Sequence, residues 1–276
     1  MTQNFHCGRF VLNAERPLIM GIVNLSDDSF SGDGLHGNIE AAIAQGRRMQ
    51  EEGAHILDVG AESSRPGATP VSAQQEIDHL LPVIEALRDC GVPLSIDTVK
   101  PEVMRVALEA GIDMINDINA LRAPGAMELV AASKAGVCLM HMQGDPGTMQ
   151  DDPHYIDIVA EVAEFLAERV AAAEAAGIAL NRIAVDPGFG FGKTLAHNIA
   201  LLRHLGELVV PGLPLLVGLS RKSVLGLLTG RAAPERVYAG VAANVLAVER
   251  GARIVRVHDV AATRDALVVL QAVEEY

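Results

Sequence analysis

Short apolar runs recur along this chain, and nearly all of them end on a polar or charged residue. Residues 18–23 lead to Asn24, 94–96 to Asp97, 114–115 to Asn116 and Asp117, and 137–140 to His141. Residues 183–185 lead to Asp186, 215–219 to Ser220, Arg221 and Lys222, and 254–257 to His258 and Asp259. One further run, 55–60, opens into a loop rich in Ser, Gly and Pro. Between the runs the spacing is helical: Ile77, Leu80, Leu81, Ile84 and Leu87 form one stripe behind a Ser72/Gln75 capping box. Asn38 can cap another helix, Pro101 can start a third, and residues 155–176 read as a long one. Continuous apolar runs suit parallel strands covered on both faces. Eight such strand–helix units in about 250 residues predict an α/β fold, a (β/α)8 TIM barrel. A short β-hairpin is expected ahead of it, over residues 5–12. The rival, an open doubly wound sheet, has fewer strands and a recognisable nucleotide turn. No linker or shift in composition divides residues 1–276, which predicts a single domain.

In such a barrel the site lies where strands end and βα loops begin. The groups expected there are Asn24, Asp97, Asn116, His141, Asp186, Lys222, Arg256 and His258. Asp97, Asn116 and Asp186 offer paired acceptors and an amide, which suit the amino-amide edge of a flat heterocycle. Lys222, Arg256 and His258 come from the last two strands, where barrels often hold phosphate. Together they suggest a ligand that is both heterocycle and anion. Blander readings stand beside this one. Asp97 and Asp117 could be helix caps, Lys222 and Arg256 surface ion pairs, and His141 and His258 ordinary core histidines. In the segment 186–193, Asp-Pro-Gly-Phe-Gly-Phe-Gly-Lys, glycines alternate with Phe189 and Phe191. These rings could be core. In a chain with 3% aromatic residues, two in one glycine turn more plausibly cover a ligand. Pro187 and the even glycine spacing exclude both a Walker A loop and the dinucleotide fingerprint.

The net charge of −13, without a basic tract, argues against nucleic acid or an anionic membrane as partner. Cys7, Cys90 and Cys138 are odd in number and lack metal spacing, so they read as reduced thiols in the cytoplasm. No H-E-x-x-H or G-x-S-x-G motif is present, which argues against a zinc or serine hydrolase.

The polar blocks together resemble the dihydropteroate synthase family. Residues 20–31 resemble its first signature, with Ser26 and Asp27 where Thr and Pro are usual. Residues 58–67 resemble its second, with Ala61 for a common Gly and Ser64 for the usual Thr. Residues 95–98, 115–118, 140–144, 186–193, 220–223 and 256–259 follow in family order. The resemblance implies a TIM barrel that joins 6-hydroxymethyl-7,8-dihydropterin pyrophosphate to 4-aminobenzoate. It gives the pterin to Asp97, Asn116, Met140, Asp186 and Lys222, and the pyrophosphate to Asn24, Arg256 and His258, with Mg²⁺ at Asn24. It gives 4-aminobenzoate to Ser64, Arg65, Pro66, Phe189 and Ser223. Asp97, Lys222, Arg256 and His258 are then the catalytic set, and a homodimer is expected. The alternatives are a pterin-dependent methyltransferase barrel, which has no use for a pyrophosphate site, and a pterin-binding homologue without catalysis.

Overall fold

A period of two along each strand sorts the side chains of this molecule into two cores. The computed structural model describes residues 4–25, 38–63 and 71–275. Among them, ten strands and nine α-helices are formed. The two-stranded antiparallel hairpin is β1 (Asn4–Cys7) and β2 (Phe10–Asn13). The other eight strands are parallel and close into a barrel. In chain order they are β3 (Leu18–Asn24), β4 (Ile56–Gly60), β5 (Leu94–Asp97), β6 (Met114–Asp117), β7 (Gly136–Met140), β8 (Ile183–Asp186), β9 (Leu215–Val217) and β10 (Ala252–Val257). The barrel closes as β10 pairs with both β3 and β9.

Outward residues such as Leu57, Val59, Ile96, Ile115, Leu139, Val185 and Val217 pack beneath the helices in the larger core. Inward residues Met20, Ile56, Met114, Cys138, Ala184, Leu216 and Ile254 form a second core inside the barrel. Phe5, Cys7 and Ala14 from the hairpin segment complete it, so the hairpin stoppers the N-terminal end. Arg9 fastens that stopper with a two-pronged bond to Asp113, Nε and NH2 each 3.0 Å from its carboxylate.

The helices are α1 (Ile39–Glu51), α2 (Ala73–Leu87), α3 (Pro101–Glu109), α4 (Ala126–Ala132), α5 (Ile158–Ala175), α6 (Leu195–Arg203), α7 (Ser223–Thr229), α8 (Val237–Glu249) and α9 (Val260–Glu275). The expected caps are present: Asn38 accepts from the Ala41 N–H, and Ser72 and Gln75 form the capping box. The helix expected from residue 155 starts at Ile158 instead. Asp157 is its cap, accepting from the N–H groups of Val159 and Ala160, and so fixes the start three residues later. No described helix is long and apolar enough to cross a membrane.

Candidate active site

Because inward positions recur every second residue, the layer above the apolar barrel core is set two residues further along each strand. Above Ile56 stands Asp58, above Met114 Asn116, above Cys138 Met140, above Ala184 Asp186 and above Ile254 Arg256. A polar floor therefore lies directly on an apolar plug, at the C-terminal mouth. Low surrounding dielectric makes each charge there costly unless paired.

The pairing is specific. Arg256 reaches across the barrel, its Nε 2.6 Å from Asp58 Oδ2 and its NH2 2.8 Å from Asp97 Oδ2. Asn116 Nδ2 donates to the same Asp58 oxygen at 3.0 Å. Asp58 is fully buried, and among the described residues its Oδ1 has no hydrogen-bond partner. Asp186 accepts the Gly188 N–H at 2.7 Å. Lys222 Nζ donates to the Phe189 carbonyl and sits 4.7 Å from the centre of the Phe191 ring, a cation–π contact.

These contacts shift the acids and bases in opposite senses. Burial lifts Asp97 to about 7 against the pull of Arg256, with Asp58, Glu76 and Asp117 adding to the rise. Burial also raises Asp186, opposed by Lys222 and the Gly188 N–H. Burial lowers Lys222 to about 8, opposed mainly by Asp186. Arg256 is held above its ordinary range, because Asp58 and Asp97 outweigh its desolvation. The mouth thus holds a fixed cation among carboxylates, and one of them, Asp97, changes protonation near neutrality.

The two expected sets do not stay apart. Arg256, expected with the anion, is bound to Asp58 and Asp97 at the heterocycle floor. Lys222 joins it through its interaction with Asp186 and Asp97. His258 lies to one side, its Nδ1 3.0 Å from Ser220 Oγ, beside the Arg221–Asp259 pair at 2.6 Å. A cavity of roughly 360 Å³ opens there, lined by Arg48, Arg221, His258, Asp259 and the first turn of α9. Asn24 ends β3 half-buried, and Met140 is buried with Ile118, Met142 and Met149 beside Phe191. Ser223 is exposed at the start of α7. Ser64, Arg65 and Pro66 lie outside the described residues.

Phe189 requires a correction. Its side chain is fully buried in the core between barrel and helices, so it covers no ligand. Alternating residues of the glycine turn face opposite ways, and Phe191 is the one left half-exposed over Lys222. Asp97 is not a helix cap, since Lys100 holds that place at α3. Asp117 is a turn cap, accepting from the N–H groups of Asn119 and Leu121 at 2.7 and 2.8 Å. His141 is a buried histidine at the edge of the site, lowered to about 3 by burial and by Lys193. Two residues escaped the reading of the sequence. Asp58 sits inside an apolar run rather than at its end, and the two-residue step from Ile56 was the signal for it. Lys193 closes the glycine segment and is 3% exposed.

Among the described residues no cluster of three His, Cys, Asp or Glu could hold a metal. Asn24, at the end of β3, offers a neutral hard oxygen at the rim. Such a donor set suits Mg²⁺ only where substrate phosphate and water supply the other ligands.

Residues 20–258 match the model of a family described as pterin binding enzyme. A dihydropteroate synthase of Neisseria meningitidis serogroup B is 53% identical, over 97% of this chain and 96% of that protein. The fold is similar to a Xanthomonas albilineans dihydropteroate synthase solved with 4-aminobenzoic acid, at TM-score 0.92 and 53% identity, with both chains wholly covered. It is also similar to a Burkholderia cenocepacia dihydropteroate synthase complexed with 7,8-dihydropteroate, at TM-score 0.91 and 50% identity, covering 99% of this chain and 96% of that one.

Proposed function

Because the chain belongs to the pterin-binding enzymes, and among them to the dihydropteroate synthases, we propose that its barrel mouth performs their condensation by a dissociative route. The reaction joins 6-hydroxymethyl-7,8-dihydropterin pyrophosphate to 4-aminobenzoate, releasing 7,8-dihydropteroate and pyrophosphate, a step of folate synthesis. The observation that carries the reading is the floor itself: Asp58, Asn116 and Asp186 beneath a cleft crossed by Arg256.

Asn116, Asp186 and Lys222 bind the edge of the pterin, with Met140 against its side. The methylene C–O bond breaks with both electrons going to pyrophosphate. The positive charge left on the methylene is shared with the dihydropterin ring. Asp97, as carboxylate, stabilises that charge. Arg256 and His258 hold the departing anion, with the first turn of α9 as further donor. Binding of the anion draws on the Arg256 guanidinium and so loosens its hold on Asp97, which frees that carboxylate as the cation forms. The amine of 4-aminobenzoate, seated by Phe191 and Ser223, then supplies its lone pair to the methylene, and the proton it loses passes to the released pyrophosphate or to solvent. This second step needs placement more than activation. Mg²⁺ at Asn24, when bound, adds charge neutralisation for the pyrophosphate oxygens.

Asp97 and Lys222, half-buried at the mouth and held by Arg256 and by the Phe189 carbonyl, are the test of this scheme. Asp97→Ala and Lys222→Ala each lose most of the turnover, followed by pyrophosphate release, while the melting curve stays cooperative. Full activity in either variant removes that residue from the mechanism. The assembly proposed is a homodimer. Leu227 and Leu228 of α7, Tyr238 of α8, and Val268, Val269 and Val273 of α9 are exposed apolar residues on neighbouring helices. The location proposed is the cytoplasm, in keeping with three unpaired cysteines.

A further inference from the structure

The scheme above makes no use of Lys193, yet a lysine only 3% exposed is costly to bury without a use for its ammonium. Its Nζ lies 2.9 Å from the Phe191 carbonyl, 2.9 Å from His141 Nδ1 and 3.4 Å from the His141 carbonyl. Three acceptors meet its three N–H groups. The His141 ring is in turn held by an edge contact with Phe165, centroids 5.0 Å apart. Lys193 therefore ties the glycine turn to the end of β7.

The turn needs such ties. Gly188, Gly190 and Gly192 all take positive φ, at 68°, 80° and 59°. A chain of alternate glycines has little stiffness of its own. Its shape comes from side chains on its carbonyls: Lys222 on Phe189, Gln150 on Gly190, Tyr155 on Gly192 at 2.8 Å, and Lys193 on Phe191. The staple on Phe191 belongs to the residue whose ring lies over the Lys222 ammonium.

We propose that Lys193 is a positioning residue for the aryl-amine acceptor, acting through Phe191, whose carbonyl it fixes so that the ring is presented to the cleft. The inference rests on the synthase reading of the site and deepens it. Lys193 is buried and touches no substrate. Its effect falls on acceptor affinity, because Asp58, Asp97 and Asn116 of the floor make no bond to the turn, and Asp186 and Lys222 bond it at Gly188 and Phe189 rather than at the Phe191 carbonyl.

The test is a double-mutant cycle. Lys193→Met keeps the apolar stem and removes the donors. It raises KM for 4-aminobenzoate roughly tenfold, the scale of one aromatic contact, and leaves kcat within about threefold. Phe191→Ala raises the same KM. The double variant exceeds Phe191→Ala by less than about twofold, because one residue acts through the other. A purely structural lysine would lower kcat through a smaller active fraction, leave KM unmoved and multiply with Phe191→Ala. Either of those results overturns the proposal. If Lys193→Met does not fold, His141→Phe keeps the ring packing and removes one acceptor of Lys193. A raised 4-aminobenzoate KM, masked by Phe191→Ala, supports the proposal, and a wild-type KM overturns it. Unsubstituted protein run alongside separates the two levels: no dihydropteroate from it defeats the synthase reading, whereas normal turnover with an unaltered Lys193→Met KM defeats only this inference.

Discussion

Arg256 Nε lies 2.6 Å from Asp58 Oδ2, joining the last strand of the barrel to the second across its interior. The guanidinium is 19% exposed and the carboxylate fully buried. Asp58 thus decides where Arg256 points, and through it how Asp97 is screened. Asp58→Ala removes one partner of a buried pair, which costs about 3 kcal/mol of stability. Chemical denaturation should show that loss together with a fall in kcat. A variant as stable and as active as the parent would remove Asp58 from the account.

Protonation gives a second prediction. Asp97, raised to about 7, must be a carboxylate to stabilise the pterin cation, so activity falls as pH drops through about 7. Lys222, lowered to about 8, must stay protonated, so activity falls again as pH rises through about 8. The expected kcat/KM profile is a narrow bell reporting the free enzyme. Asp97→Asn should erase the acid limb from whatever activity remains. The stability contribution of Asp97 has its own sign: a raised carboxyl is favourable below its unfolded value, and that contribution is lost as pH rises towards about 7. A rate profile that stays flat from well below the first of these limits to well above the second would contradict both assignments.

The two phenylalanines of the glycine turn should separate cleanly. Phe189→Ala empties a fully buried site and costs about 3–5 kcal/mol, with KM for 4-aminobenzoate unchanged in the folded fraction. Phe191→Ala leaves the melting temperature nearly unchanged and raises that KM. Reversed results would restore the ligand role that the sequence suggested for Phe189.

Much of this was legible in the sequence because strands announce themselves. Eight apolar runs, their polar ends, the Asn38 cap and the Ser72/Gln75 box all appear in the structure where they were expected. What was hidden depended on facing. Phe189 and Phe191 are alike in composition and spacing, and it is the positive-φ backbone of Gly190 between them that sets the two rings on different faces. Asp58 was hidden because it stands within a strand, among residues that look like core. The pairing of Arg256 with Asp58 and Asp97 joins residues 198 and 159 positions apart, a relation no local pattern encodes.

Assembly gives a fourth prediction. Val269, 64% exposed on α9 beside Val268 and Val273, should lie within the dimer interface. Light scattering should report a dimer for the parent and a monomer for Val269→Asp with Val273→Asp. A parent that runs as a monomer would remove the exposed face of α7, α8 and α9 from that role.

The most direct measurement is isotope scrambling in the pterin pyrophosphate alone. Heavy oxygen is placed in the bridge between the methylene carbon and the first phosphorus, and 4-aminobenzoate is left out. If the C–O bond ionises before the amine attacks, the label migrates to non-bridging positions in recovered substrate, and Asp97→Ala abolishes the migration. If the label stays in the bridge while the same preparation turns over normally with 4-aminobenzoate, attack and departure are concerted, and the dissociative route built on Asp97 and Arg256 is wrong.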